Sequence, residues 1–259
     1  MEVEIEFTKN AQKNAEDYFE KSKRSRRKAE GAEKAIKELE EALGKLEGKA
    51  FGKKEVRTVE RREWYEKFNW FFASDGSLVI GGRSADQNDE LYSKYFEDKD
   101  LFFHSDIHGA SAVILKDGVS SGKEVGEEAA QFAASFSSAW EMSHTTVDVY
   151  SLRKEQVTKG RNEGALGKGS FLLKGEREWY KNSTLELVAF FNEKMGKVEV
   201  APLLTGKRLG LKRYVVLSVG KTKKSDAAKY ISRELGYPNV DYIMQHIPTG
   251  PFALKSVSE

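Results

Sequence analysis

His104, Asp106 and His108 recur at every second position of Leu101-Phe-Phe-His-Ser-Asp-Ile-His-Gly109. Two imidazoles around a carboxylate can ligate a metal or move a proton. On an extended strand that spacing puts all three on one face, which is the arrangement a metal-dependent RNA hydrolase would use. Three donors on one strand need a fourth, however, and the other histidines, His144 and His246, stand at no ligand spacing. The preferred reading places Asp106 and His108 in a turn, bonding backbone N–H groups or meeting a phosphate or ribose, with Gly109 allowing close backbone approach. No catalytic residue, metal or cofactor is assigned.

A second set lies between Arg153 and Ser170. Arg153, Lys154, Lys159, Arg161 and Lys168 alternate with four glycines and several hydroxyls. That composition suits a loop that contacts phosphates. It is not a nucleotide-triphosphate loop: Gly164 and Gly167 precede Lys168, but Gly169 follows where a hydroxyl residue is required. A third set is Gly81-Gly82-Arg83-Ser84. Paired glycines leading an arginine into a helix N-terminus can build an anion site, and a plain strand-to-helix turn explains the same residues.

The elements that must position these groups follow from periodicity and punctuation. Ser74-Asp-Gly-Ser77 between aromatic and β-branched runs predicts a hairpin. Ser84 is placed to cap a helix over 85–96, and 101–115 reads as two strands meeting at a glycine. Val125, Ala129, Phe132, Phe136 and Trp140 form the apolar stripe of a helix over 124–142. Further strands are expected at 145–150, 171–174, 197–201 and 214–219. A helix capped by Ser225 should span 226–235 and end at Gly236, and Ile247-Pro-Thr-Gly-Pro251 reads as an exposed turn closing the chain. The fold class is α+β: a mixed or antiparallel sheet with packed helices, preceded by a helical coiled-coil arm.

The arm rests on a seam of small and apolar residues spaced 4-3-4-3 from Ala11 through Ala15, Tyr18 and Ile36 to Leu46. Thr8 is the expected N-cap, and Gly44, Gly48 and Gly52 mark the end. About forty helical residues extend roughly 60 Å, whereas the return helix, 54–68, covers only about 22 Å, so the arm over 1–68 needs a partner surface. A second copy of this chain, or another protein, would supply it, and a protein-docking scaffold is one reading of the whole molecule. The arm also carries six basic residues in Lys21-Ser-Lys-Arg-Ser-Arg-Arg-Lys28. The globular part is expected over 69–259.

Composition narrows the classes. The 259 residues contain no cysteine, which removes disulfides, thiolate metal sites and cysteine nucleophiles. No apolar run is long enough for a membrane span, and the acidic first residues are unlike a secretory signal; a cytoplasmic protein is expected. The net charge of +2 hides a segregation. Residues 71–144 hold thirteen acidic and five basic side chains, and 145–230 hold eighteen basic and nine acidic. Such a basic block attracts phosphate backbones, unless the two blocks pack on each other.

Taken together, Trp64-Tyr-Glu-Lys-Phe68, Ser74-Asp-Gly76, Val79-Ile-Gly-Gly-Arg83, Gln87-Asn88, His104-Ser-Asp-Ile-His-Gly-Ala-Ser111, Phe132-Ala-Ala134, Ser138-Ala-Trp140, Val149-Tyr150, Gln156-Val157 and Lys168-Gly-Ser-Phe171 closely resemble the RNA-binding domain of the NFACT family. The family's ribosome quality control factors include NEMF and RqcH. Phe7-Thr-Lys-Asn-Ala-Gln-Lys-Asn-Ala15 and the helix after it are similar to the family's middle arm in its archaeal form. The resemblance implies a non-catalytic module that binds tRNA or rRNA of the large ribosomal subunit, in a factor acting on subunits obstructed by peptidyl-tRNA. Arg83, Asp106, His108, Gly109 and Lys168 stand in the matching motifs, and charge and loop chemistry assign them to RNA contact together with Arg153, Lys154, Lys159 and Arg161. The family's amino-terminal domain has no counterpart here, which implies a carboxy-terminal fragment or a shortened member.

Overall fold

The computed structural model describes residues 10–47, 63–159 and 167–258. The chain divides into two units, 1–61 and 62–259. In the first, α1 (Ala11–Glu47) is one uninterrupted helix, as the heptad spacing requires. Its first turn is capped by Asn10, whose Oδ1 accepts from the Lys13 N–H at 2.8 Å. The expected cap, Thr8, and the bulk of the return segment, 54–62, lie outside the described residues.

The second unit opens with a 3-10 turn, Trp64–Lys67, that buries Tyr65 and Glu66. β1 (Asn69–Phe72) and β2 (Leu78–Gly81) then form the expected hairpin. Its turn closes because Asp75 Oδ1 accepts from the Ser77 N–H at 2.8 Å and Gly76 takes φ +89. A six-stranded sheet grows from it in the order β1-β2-β4-β3-β5-β8, with β3 (Leu101–Ser105), β4 (Val113–Leu115), β5 (Thr146–Arg153) and β8 (Glu178–Thr184). Between β5 and β8, β6 (Val157–Thr158) pairs with β7 (Leu172–Leu173). A second sheet has the order β10-β9-β11-β12, from β9 (Glu186–Asn192), β10 (Lys197–Pro202), β11 (Arg213–Thr222) and β12 (Phe252–Ser258). Every pairing is antiparallel, so the fold is α+β with antiparallel sheets.

Strand alternation gives the first sheet two buried faces. Phe71, Val79, Phe103 and Val113 point into the main core, where Phe132 and Ala129 of α3 (Lys123–Ser135) join Leu187 and Val200 of the second sheet. Their neighbours Trp70, Ile80, Phe102 and Ile114 point the other way, onto Phe68, Leu91, Phe96 and Val157. Each fully enclosed side chain of this size stabilises the fold by about 1.5–3 kcal/mol.

The expected single helix over 124–142 is two. α3 stops at Ser135, and α4 (Ser138–Glu141) restarts after Ser137, whose Oγ donates to the Ala134 carbonyl and accepts from the Ala139 N–H. This serine satisfies both broken ends, and Trp140 is still delivered to the core. The later helix, α6 (Lys224–Leu235), begins one turn position before Ser225, with Lys223 at the cap, and ends as expected at Gly236 with φ +69. The 247–251 turn is not exposed throughout: Ile247 is buried, and Trp140 Nε1 donates to the Pro251 carbonyl at 3.0 Å. Nor does it close the chain, because β12 follows and pairs with β11 along its whole length. α5 (Leu203–Arg208) and α7 (Val240–His246) complete the unit.

Candidate nucleic-acid interface

The turn between β3 and β4 is fixed on both flanks. On one, α2 (Ala85–Glu90) presents Asn88 Oδ1 to the Ala112 N–H at 3.2 Å, and the Gly82 N–H donates to the Ala112 carbonyl at 3.0 Å. On the other, Ser138 Oγ donates to the His108 carbonyl at 2.6 Å and Ser111 Oγ to the Phe136 carbonyl at 2.9 Å. Gly109 takes φ +82 within this turn, a conformation that costs any other residue. Gly82 serves differently: a Cβ there would lie 2.1 Å from Asn88 Oδ1, so its bare backbone lets α2 approach β2.

β3 ends at Ser105, and Asp106 and His108 are exposed in the turn beyond it. Period-two alternation therefore does not place them on a face with His104. His104 is half-buried, with Nδ1 3.3 Å from Tyr150 Oη, and burial pushes its pKa below the usual imidazole value. Among the described residues no three histidine, aspartate or glutamate side chains converge to hold a metal ion. The hydrolase reading loses its constellation, and Asp106 and His108 lie in a turn, as expected.

A cleft of about 460 Å³ opens beside this turn. Phe102, His104, Tyr150 and Phe171 form its aromatic wall, and Arg83, His108, Gly109 and Lys168 line it as well. Four of the nine residues singled out in the sequence thus meet at one place. Arg83 reaches it while braced: its Nε donates to Asn69 Oδ1 at 3.1 Å and its guanidinium to the Phe68 carbonyl at 2.7 Å. At the start of α2, Ser84 caps the helix by accepting from the Gln87 N–H.

Acidic side chains of α2 hold the basic loop at its two described ends. Lys168 pairs with Asp86 at 3.0 Å, Lys159 pairs with Asp89, and the Gly169 N–H donates to Asp89 at 3.0 Å. The bond to Asp86 raises the pKa of Lys168. Arg208 likewise pairs with Glu127 and Glu128, each at 2.8 Å. The acidic and basic blocks therefore partly pack on each other. Arg153 lines a separate cleft, with Arg177 and Lys123, and Lys154 turns inward to donate to the Phe96 carbonyl. Arg161 lies outside the described residues.

Two groups near the cleft were missed in the sequence. The Arg177 guanidinium stands 4.3 Å from the Tyr150 ring centroid, and Lys181 Nζ lies 4.0 Å from that of the exposed Trp179. The interleaved Arg177-Glu-Trp-Tyr-Lys181 was the available signal.

Residues 67–175, which contain this cleft, match the family described as NFACT protein RNA binding domain. The chain is 35% identical over 208 residues to the archaeal Rqc2 homolog aRqcH of Methanocaldococcus jannaschii, covering 76% of this chain and 30% of that one. It is 34% identical over 197 residues to the ribosome quality control complex subunit NEMF homolog of Drosophila melanogaster, covering 71% and 19%. With ribosome quality control complex subunit 2 of Schizosaccharomyces pombe it shares 28% over 193 residues, covering 71% and 19%. The chain thus spans less than a third of the length of these curated relatives. Motifs in matching order, a matched domain built around the cleft and an archaeal relative at this identity lead to one assignment: the chain belongs to the NFACT family, archaeal in type, with the family's RNA binding domain at residues 67–175.

Proposed function

We propose that this chain is the RNA-binding module, for tRNA or rRNA of the large ribosomal subunit, of a cytoplasmic ribosome quality control factor that acts on stalled peptidyl-tRNA complexes, and that it performs no catalysis itself. The observation that carries this reading is the meeting of Arg83, His108, Gly109 and Lys168 around one aromatic-walled cleft inside the segment that matches the family. Cationic and aromatic side chains around a fixed turn suit a folded polyanion, read by shape and backbone with stacking on unpaired bases.

In this reading Arg153 contacts the RNA from the adjoining cleft, Lys159 exchanges its carboxylate for a phosphate, and Asp106 meets a ribose hydroxyl from the exposed turn. Arg161 belongs to the same basic loop. Lys154, bonded to the Phe96 carbonyl, contributes by holding the start of that loop. The coiled-coil arm, whose described helix is α1 (Ala11–Glu47), would dock a second copy or another protein through its heptad seam. Among the described residues no helix is long and apolar enough to cross a membrane.

The test is binding of the chain to tRNA and to purified large subunits over a salt series. Affinity falling steeply with salt, linearly on logarithmic axes, supports the reading. Equal retention at low and high salt overturns it.

A further inference from the structure

A second cavity, about 450 Å³, lies behind the aromatic cleft, and Arg83, Gly109 and Ser111 line both. The two differ in chemistry. The first has the partly exposed rings of His104 and Phe171, with Phe102 and Tyr150 almost wholly buried behind them. The second is lined by Thr249, Lys224 and a single carboxylate, Glu141, together with Ser137 and Ser138, whose hydroxyls donate to the Ala134 and His108 carbonyls. An aromatic-edged compartment beside one that holds Lys224, with an arginine on the partition, is the division a single nucleotide has: a ring at one end and a phosphate at the other.

We infer that the aromatic cleft receives one unpaired base turned out of its stack, and that the backbone phosphate of that nucleotide lies across the Arg83 wall beside Lys224 and Thr249. This deepens the RNA-binding reading above and rests on it. The cleft lies within the volume range of sites that enclose small flat ligands. Its polar groups suit a base edge. Asn88 Oδ1 is taken by the Ala112 N–H, and among the described residues its Nδ2 makes no hydrogen bond, so that two donors remain. On the phosphate side, burial first and then Arg83 lower the pKa of Lys224. Two cations are thus held near each other, a placement that a bound anion relieves. A fully paired duplex cannot fill the first compartment, because its bases are stacked inward.

The experiment compares three RNA hairpins that differ at one position: a single-adenosine bulge, the same bulge with an abasic residue, and a fully paired stem. A bulge carrying 2-aminopurine provides a fluorescence readout. Expected is binding of the adenosine bulge about tenfold tighter than the abasic one, with 2-aminopurine emission changing on binding. Lys224→Gln should weaken the adenosine and abasic bulges alike by about threefold and leave their ratio intact. Equal affinity for the adenosine and abasic bulges, with unchanged emission, overturns the base site while leaving RNA binding standing. An unaltered affinity of Lys224→Gln overturns the phosphate half. Failure of all three hairpins to bind at low salt overturns both this inference and the RNA-binding reading beneath it.

Discussion

Lys197 Nζ lies 2.9 and 3.0 Å from the two carboxylate oxygens of Glu66, and both side chains are almost wholly withdrawn from water. The pair ties the turn before β1 to β10, at the junction of the two sheets. Removing one partner leaves a buried charge alone, so Lys197→Met should destabilise the chain by about 3–5 kcal/mol. Replacing both, as Lys197→Met with Glu66→Leu, should recover most of that loss. Urea unfolding of the two variants checks it; a double variant as unstable as the single one would refute the account.

Glu199 gives a pH dependence. Burial raises its pKa above the ordinary 4.5, even though Asn192 Nδ2 and the Phe72 N–H both donate to it. The folded chain therefore holds this proton more tightly than the unfolded one. The cost of ionising it is absent below the unfolded value, grows as pH rises through the folded value, and is constant above. Glu199→Gln removes that cost. As pH rises from below the ordinary carboxylate value the stability difference should move in favour of the variant and then level off, measured by denaturation at each pH. A difference that does not vary with pH contradicts it.

Asp86 competes with phosphate for Lys168. Asp86→Asn frees the lysine, which should raise RNA affinity about two- to fivefold, the scale of an exposed ion pair. Lys168→Ala should lower affinity and reduce the logarithmic salt slope by about one. Filter binding across a salt series reads both. Weaker binding by Asp86→Asn would show that Lys168 does not reach the RNA.

Gly169 holds the loop against α2. It has φ +73, and a Cβ there would lie 2.8 Å from Ala85 Cα and 2.9 Å from Ala85 Cβ. Gly169→Ala should push the segment off α2 and break the Gly169–Asp89 bond. RNA affinity should drop several-fold while the unfolding midpoint, set by the sheets and α3, moves little. Unchanged affinity would place Lys168 outside the interface.

Local chemistry was legible where neighbouring residues decide it. The alternation of Phe102 and Phe103, the Ser84 cap and the Gly236 stop all follow from positions a few residues apart. Arg83, His108, Gly109 and Lys168, singled out by their turn and loop chemistry, line one cleft. What stayed hidden depends on distant partners. The pairing of Lys168 with Asp86 spans 82 residues, and that of Arg208 with Glu128 spans 80, so the segregated charge left open whether the two blocks pack on each other. The break before Ser138 was masked by an apolar stripe that continues through Trp140 in phase. β8 escaped because Glu178, Lys181 and Asn182 on an edge strand disguise its pattern, and the exit of the chain from β3 at Ser105, which parts His104 from His108, leaves no mark in the spacing.

The carboxylates of α2 make the protein its own first ligand. In the RNA-binding reading, a phosphate that takes Lys168 displaces Asp86, and one that takes Lys159, which does not line the cleft, displaces Asp89; each exchange returns little by itself. A lone phosphate gains almost nothing from either. A strand that offers several phosphates at the right separation makes both exchanges at once, so the paired lysines set a threshold of valency rather than a simple attraction, and small abundant nucleotides are left outside it.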